Sequence, residues 1–211
     1  MPWFGKKEHE FFKLTSDINI DKAESEWQDA VAYTAGLCGV IVGGTRSALQ
    51  EILQSELPPS QDIKLVIEVT TFTLEIMDRL AFSAGGKDFR DQFLEFLELP
   101  VIAVTLDSTL SKFTASSKKH AKQFPLTVLN STIADIQSGA PAYANMQPIL
   151  QNDTKISQDG TLTGVFHDRI GHEFGVINNP VWLLGTVTSV AEGLVKSECS
   201  QAVKRAAAVF S

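Results

Sequence analysis

The sequence predicts an all-α protein, a single-domain bundle of about six or seven helices built from all 211 residues. Three observations predict it. Apolar residues recur at helical spacing in most segments, the alternation typical of strands is weak, and proline, glycine and asparagine stand where helices would begin and end. A chain of this length buries one good core without needing a second domain.

The clearest periodicity lies in residues 62–84, which we expect to form the central helix. At about 100° per residue, its polar side chains share one narrow sector and apolar side chains cover the rest. A surface helix has the opposite proportions, so this helix should have neighbours on most sides. The polar sector contains Lys64, Glu68, Thr71, Glu75 and Asp78.

The helix before the central one is placed by its first residues. Asp21 and Glu24 have the spacing of a capping box, with Asp in place of the usual Ser or Thr, and we expect a helix over 21–57. Its apolar stretch LCGVIVGG also fits a short buried strand, because a brief apolar run does not settle the type. The helical pattern that precedes this stretch favours the helix.

The later elements are placed by end signals. Asn179 followed by Pro180 is a strong start signal, and we expect the last helix to run from there to the C-terminus. Residues 1–20 are expected to be an irregular lead-in, and residues 140–160 a long loop of the kind that is often functional. Between these, helices are expected at 88–97, from Pro100 to Phe113, at 125–139 and at 162–174.

Composition excludes several classes of function. The net charge of −7 argues against general nucleic-acid binding, which needs a basic footprint. Cys38 and Cys199 make neither a disulfide framework nor a zinc motif, so we expect buried, inert thiols. The longest uncharged apolar run, 30–42, is shorter than the roughly 20 residues of a membrane-spanning helix. With no signal peptide at the start, these features predict a soluble, cytoplasmic protein.

Two groups of residues are candidates for a metal or acid–base site. Asp168, His172 and Glu173 lie in the motif HDRIGHE, where Asp168 and His172 would be one helical turn apart. The alternative for this group is a surface ion-pair ladder along the helix. A second group shares one face of the central helix, where the alternative is an ordinary solvated face. Its members are Glu68, Glu75 and Asp78.

Two acid–base dipeptides flank the glycine break after the central helix. Asp78-Arg79 precedes the break and Arg90-Asp91 follows it. If the two helices fold back on each other, these four side chains would form an ion-pair cluster that fixes the turn. The two guanidinium groups would then also be candidates for binding an anion.

Glycines on one face of the first long helix suggest a packing surface. Gly36, Gly39 and Gly43 lie close together on that face. Each costs roughly 1 kcal/mol relative to alanine in a helix interior. We therefore expect a neighbouring helix to approach closely there, either within the chain or across a homodimer.

Two hypotheses for the function follow. The first is a binding or interaction protein, a homodimer, that uses an apolar groove or the face around Gly36–Gly43. The second is a metal-dependent enzyme that uses Asp168, His172 and Glu173 with acidic residues of helix 62–84. The first is favoured because no catalytic constellation is recognisable. The sequence identifies no cofactor, substrate or ligand.

Overall fold

The computed structural model describes residues 21–114, 124–146, 149 and 160–210. The expected lead-in, residues 1–20, lies outside the described residues, as does most of the expected loop between residues 146 and 160.

The described residues form six α-helices and no strand, which confirms the predicted all-α bundle. The apolar stretch LCGVIVGG lies within a helix, not a strand. A short 3₁₀ helix, Ala140–Ala142, follows the third α-helix. The six α-helices are α1 Asp21–Leu53, α2 Pro59–Thr114, α3 Phe124–Gly139, α4 Leu162–Glu173, α5 Pro180–Lys196 and α6 Cys199–Phe210.

The first arm of α2, before the glycine pair, is the centre of the bundle. Helices α1, α3, α4 and α6 all pack against α2. Between residues 62 and 81, Lys64 is the one side chain of the arm that is exposed. The prediction of a central helix over 62–84 is therefore confirmed, since solvent reaches so little of its surface.

Helix α2 is kinked at Gly86, whose φ of 72° and ψ of −166° are not helical and favour glycine. The second arm then continues without a break to Thr114, so the prediction of separate helices over 88–97 and from Pro100 is wrong. Proline inside a helix removes one backbone hydrogen bond. The fully buried residues around it, Leu97 and Val101, hold the arm against the core despite that loss.

Two helices end earlier than predicted. Helix α1 ends at Leu53, because Gln54 adopts a φ of 52° and the chain leaves the helical path before Pro58. The predicted single C-terminal helix is also wrong, since Glu198 has a φ of 53° and separates α5 from α6. Neither break carries a glycine. The second break lets α6 turn and bury Cys199.

An aromatic cluster joins α1, the second arm of α2 and α6. Trp27 of α1 packs edge-on against Phe89, Phe93 and Phe96 of the second arm of α2, at ring-centroid distances of 5.3–6.0 Å. Phe210 of α6 completes the cluster, with its ring 5.4 Å from that of Phe89. Edge-on aromatic pairs add to the energy of the area they bury. The cluster therefore fixes the second arm against α1 and α6.

Close approach of helices occurs between α1 and α5, but not at the predicted glycines. A Cβ atom added at Gly44 would lie 2.8 Å from Cβ of Ser189, and one added at Gly193 would lie 2.7 Å from Cδ1 of Leu37. The predicted glycines are exposed, and an added Cβ at any of them would meet nothing within 4 Å. Within the described residues, no helix of the same chain packs against Gly36, Gly39 and Gly43, so that part of the expectation is wrong.

The adjacent glycines Gly43 and Gly44 test this packing in one helical turn. We expect Gly44→Ala to lower the free energy of unfolding by about 1 kcal/mol, because overpacking costs about 1–3 kcal/mol and exceeds the gain in helix propensity. We expect Gly43→Ala to raise it by up to about 1 kcal/mol, because the added methyl group meets open space.

Urea unfolding measures both values, at a protein concentration low enough that the midpoint does not depend on it. Equal effects of the two substitutions would contradict the close contact between α1 and α5.

Candidate functional site

The three carboxylates of the central helix's polar sector, Glu68, Glu75 and Asp78, are covered, so the alternative of a solvated face is wrong for them. Thr71 and Asp78 are buried, and the side chains of Glu68 and Glu75 are 15% and 17% exposed. The cover consists of α4 and of residues 140–146, which we call the strap. Carboxylates removed from water need cationic or hydrogen-bonding partners, and these partners build the site.

Glu68 is held by two residues from distant parts of the chain. Arg169 of α4 forms a two-pronged ion pair with it, with Nε 2.5 Å from Oε1 and Nη2 2.7 Å from Oε2. The hydroxyl of Tyr143, in the strap, donates to the same Oε1 at 2.5 Å. Such parallel bonds fix orientation as well as adding energy. Glu68 thus fastens both covering segments to α2.

Tyr143 is the side chain that anchors the strap in the core. It is fully buried, its ring centroid is 5.9 Å from that of Phe72, and the guanidinium of Arg169 lies over its ring at 5.8 Å. Phe72 in turn stacks on Phe166 of α4 at 4.4 Å. Burial, and then the negative charge of Glu68, raise the pKa of Tyr143 well above its usual value. The hydroxyl therefore stays protonated and donates.

The second part of the site lies further along α2, around the kink at Gly86. Asp78 accepts hydrogen bonds from Arg79 through one carboxylate oxygen and from Arg90 through the other. In a straight helix Asp78 and Arg90 would be about 18 Å apart along the axis, so their contact depends on the kink at Gly86. Asp91 contacts Arg90 at 3.1 Å and Lys87 at 2.7 Å. The structure thus brings together the four residues of the proposed ion-pair cluster.

Arg79 links this cluster to the strap. Its Nη2 donates to the carbonyl oxygens of Tyr143 at 2.9 Å and Ala144 at 3.3 Å, and its Nε donates to that of Met146 at 3.4 Å. Its Nη1 lies 3.5 Å from Oε2 of Glu75. An anion that bound Arg79 would have to displace carboxylates and carbonyl groups already in place. The geometry therefore favours the structural interpretation of the cluster.

Helix α4 carries the motif HDRIGHE, and its charged residues pair with α2. Glu173 lies 2.5 Å from Nζ of Lys64, while Arg169 holds Glu68 one turn further along α2. Arg169 and Glu173 therefore pair with α2, and not with each other in the ion-pair ladder that was the alternative interpretation of the motif. The two ion pairs, Lys64 with Glu173 and Glu68 with Arg169, instead set the antiparallel register of α4 on the central helix.

The other candidate metal ligands do not converge. Asp168 is 63% exposed, and its Oδ1 lies 3.0 Å from Nδ1 of His167. His172 and Glu173 are exposed at the end of α4. Within the described ranges, no three His, Cys, Asp or Glu side chains are close enough to hold a metal ion.

His167 and Tyr143 are the residues of the site that the sequence did not single out. Arg169 lies in the motif HDRIGHE, but its pairing with Glu68 was not predicted. His167 is buried and stacks on Trp182, whose Nε1 donates to the carbonyl oxygen of His167 at 3.0 Å. Its own Nε2 is buried without a hydrogen-bond partner in the described part of the chain. The available signal for Tyr143 was that it is the one aromatic residue between Pro141 and Met146, in a segment otherwise made of small and polar residues.

Both cysteines are free and buried, as expected for inert thiols. Burial raises the pKa of Cys38, which lies 3.6 Å from the hydroxyl of Thr70. Burial also raises the pKa of Cys199 to about 11. Thiols that remain protonated at neutral pH are poor nucleophiles.

Comparisons with known proteins give no assignment. No protein-family model, curated protein or solved structure matches the chain. No helix within the described ranges has both the length and the apolar character needed to cross a membrane.

Tyr143→Phe tests the strap anchor. We expect it to lower the free energy of unfolding by about 1.5–3 kcal/mol at neutral pH, because one buried hydrogen bond to a carboxylate is lost. The raised pKa means that folded Tyr143 keeps its proton while the unfolded chain loses it above roughly pH 10, so wild-type stability falls as pH rises through that value. Tyr143→Phe removes this part of the alkaline loss.

Urea unfolding at neutral pH and at roughly pH 10.5 gives both quantities. Tyr33→Phe, at the chain's other tyrosine, is the matched control and should keep the alkaline loss that Tyr143 causes. The same pH dependence in wild type and in Tyr143→Phe would refute the anchor.

Glu75→Gln tests the cost of burying the carboxylates. Burial raises the pKa of Glu75, and the nearby Arg79 offsets this in part. A raised carboxylate pKa in the folded state means that the charged form destabilises the fold. This destabilisation is complete at pH values above the folded pKa and vanishes below about pH 4.5. We therefore expect Glu75→Gln to raise the melting temperature at pH 7 and to have little effect near the lower pH.

Thermal unfolding at the two pH values provides the measurement. Glu68→Gln is the control, and it should lower the melting temperature because it disrupts the two-pronged pair with Arg169. Destabilisation at pH 7 by both substitutions would contradict a net burial penalty at Glu75.

Proposed function

We propose that the protein is an interaction module that forms a homodimer through an exposed face of α1 and that acts by binding, not by catalysis. We call the face defined by Gly36, Gly39 and Gly43 the α1 glycine face. Three observations support the proposal: the energetic cost of these glycines, the chemistry of the surface around them and the structural role of the charged site on α2.

The energetic support is the unexplained cost of three glycines. Each costs roughly 1 kcal/mol in a helix interior, and none has an atom of residues 21–114, 124–146, 149 or 160–210 within 4 Å of an added Cβ. Gly44 and Gly193, by contrast, are explained by contacts between α1 and α5. A second copy that approaches α1 closely would explain the three exposed glycines.

The surface chemistry supports the same face. Between Asp29 and Arg46 the helix carries no charged residue, although a helix exposed to water normally has a polar outer side. Ala32 and Ser47 are exposed and extend the row of small residues, so that the row spans about 22 Å of helix. A twofold axis through such a row lets the same face meet itself.

The charged site on α2 supports binding over catalysis. Each charged group already has partners. Glu68 is paired with Arg169, and Arg79 donates to Asp78 and to main-chain carbonyl oxygens. A general acid or base needs a substrate proton within hydrogen-bond reach. We assign these residues to the stability of the bundle, and the two free thiols, Cys38 and Cys199, fit the cytoplasm, where thiols stay reduced.

The competing surface for a homodimer is the outer side of α5. Leu184 and Val195 are 68% and 78% exposed, which makes them the most exposed of the large apolar side chains described. They lie on the side of α5 that faces away from the core. Any test of the α1 glycine face must therefore separate the two surfaces.

Gly39→Arg tests the proposal. We expect it to raise the dimer dissociation constant at least about a hundredfold, because the arginine would meet its own copy across the twofold axis. Sedimentation equilibrium over a series of protein concentrations measures the constant. Circular dichroism checks folding, which Gly39→Arg should preserve because the site opens to solvent.

Two variants are matched controls. Gln92→Arg places the same charge on an exposed site of α2, and Leu184→Arg places it on the outer side of α5. Both should remain dimeric. A wild-type protein that is monomeric at every concentration would refute the homodimer. Dissociation by Leu184→Arg alone would refute the α1 glycine face and move the interface to α5.

A further inference from the structure

The kink of α2 and the strap are separate features that share one chain of charged contacts. Arg90, beyond the kink, donates to one carboxylate oxygen of Asp78. Arg79 donates to the other oxygen of Asp78 and, through its remaining nitrogens, to the strap. The order of contacts is Arg90, Asp78, Arg79 and then the main chain at residues 143–146.

The strap depends on few attachments. Its main-chain hydrogen bonds are internal, from the N–H groups of Tyr143, Ala144 and Met146 to carbonyl oxygens three residues earlier. Its outward residues, such as Pro141 and Asn145, are exposed. The polar contacts of the strap with α2 are therefore those of the Tyr143 hydroxyl and of the Arg79 guanidinium, and Met146 adds apolar packing on the core.

The position of Arg79 depends in turn on Asp78. The Asp78 side chain is 10% exposed, and both of its oxygens are occupied by arginines. Loss of Arg90 would leave this carboxylate with one cationic partner and free to turn. Arg79 would follow the carboxylate, because the energy of a charged contact away from water exceeds that of a bond to a neutral carbonyl.

We propose that this chain of contacts couples the strap to the kink, so that loosening the Arg90 contact at the kink releases the strap from α2. The coupling is a conformational device of the fold and does not depend on dimer formation. It acts through contiguous, mutually oriented groups, which is the physical basis of coupling between sites. It is also reciprocal, so release of the strap loosens the kink.

Hydrogen–deuterium exchange in Arg90→Gln tests the coupling. We expect the amides of Tyr143, Ala144 and Met146 to exchange about tenfold faster than in wild type, because the loss of a charged hydrogen bond at Asp78 loosens Arg79 and with it the strap. Lys87→Gln is the matched control. Lys87 pairs with Asp91 at the same kink, at 2.7 Å, and its loss should leave strap exchange unchanged.

A second pair of variants separates this route from general loosening. Arg79→Gln should speed strap exchange by itself, and adding Arg90→Gln to it should bring no further increase, because the route is already cut at Arg79. Unchanged or slower strap exchange in Arg90→Gln would overturn the coupling. Equal acceleration by Lys87→Gln, or additive effects in the double variant, would overturn it as well.

Discussion

The structure depends on how the carboxyl groups of the central helix are paired where they are shielded from water. Glu68, Glu75 and Asp78 occupy one side of a helix that the bundle surrounds. An unpaired carboxylate in such a place costs several kcal/mol, so each needs a cation. The cations come from three places: Arg79 on the same helix, Arg90 beyond the kink, and Arg169 on α4. The kink, the strap and the register of α4 all satisfy this requirement.

The apolar parts of the molecule supply most of its stability, while the charged pairs select one arrangement. Edge-on aromatic packing around Trp27 fixes the second arm of α2 against α1 and α6. The contact between Asp78 and Arg90 selects the bend of α2, because its geometry depends on the kink at Gly86. In the same way, the two ion pairs between α4 and α2 would both be broken if α4 were shifted by one helical turn along α2. Charge here contributes specificity more than net energy.

The sequence predicted the helices well where periodicity and end signals agree. Asn179 with Pro180 starts α5, and Gly86 ends the first arm of α2, because these residues act through local backbone geometry. The sequence failed at Pro100 and at Glu198, where burial of neighbouring side chains decides the path of the chain. In the site, the contact across the glycine break was predictable from local spacing. The partners of Glu68 were not, because Tyr143 and Arg169 lie 75 and 101 residues away and no periodic pattern encodes pairing at that range.

The way Arg79 holds the strap has a consequence for how freely that segment can change. The guanidinium binds main-chain carbonyl oxygens, which every amino acid possesses. The polar attachment therefore does not depend on the side chain at Ala144, and Asn145 is exposed. Apart from Tyr143 and Met146, which pack on the core, this part of the surface is free to diversify in evolution or to carry a grafted epitope while the bundle beneath it stays the same.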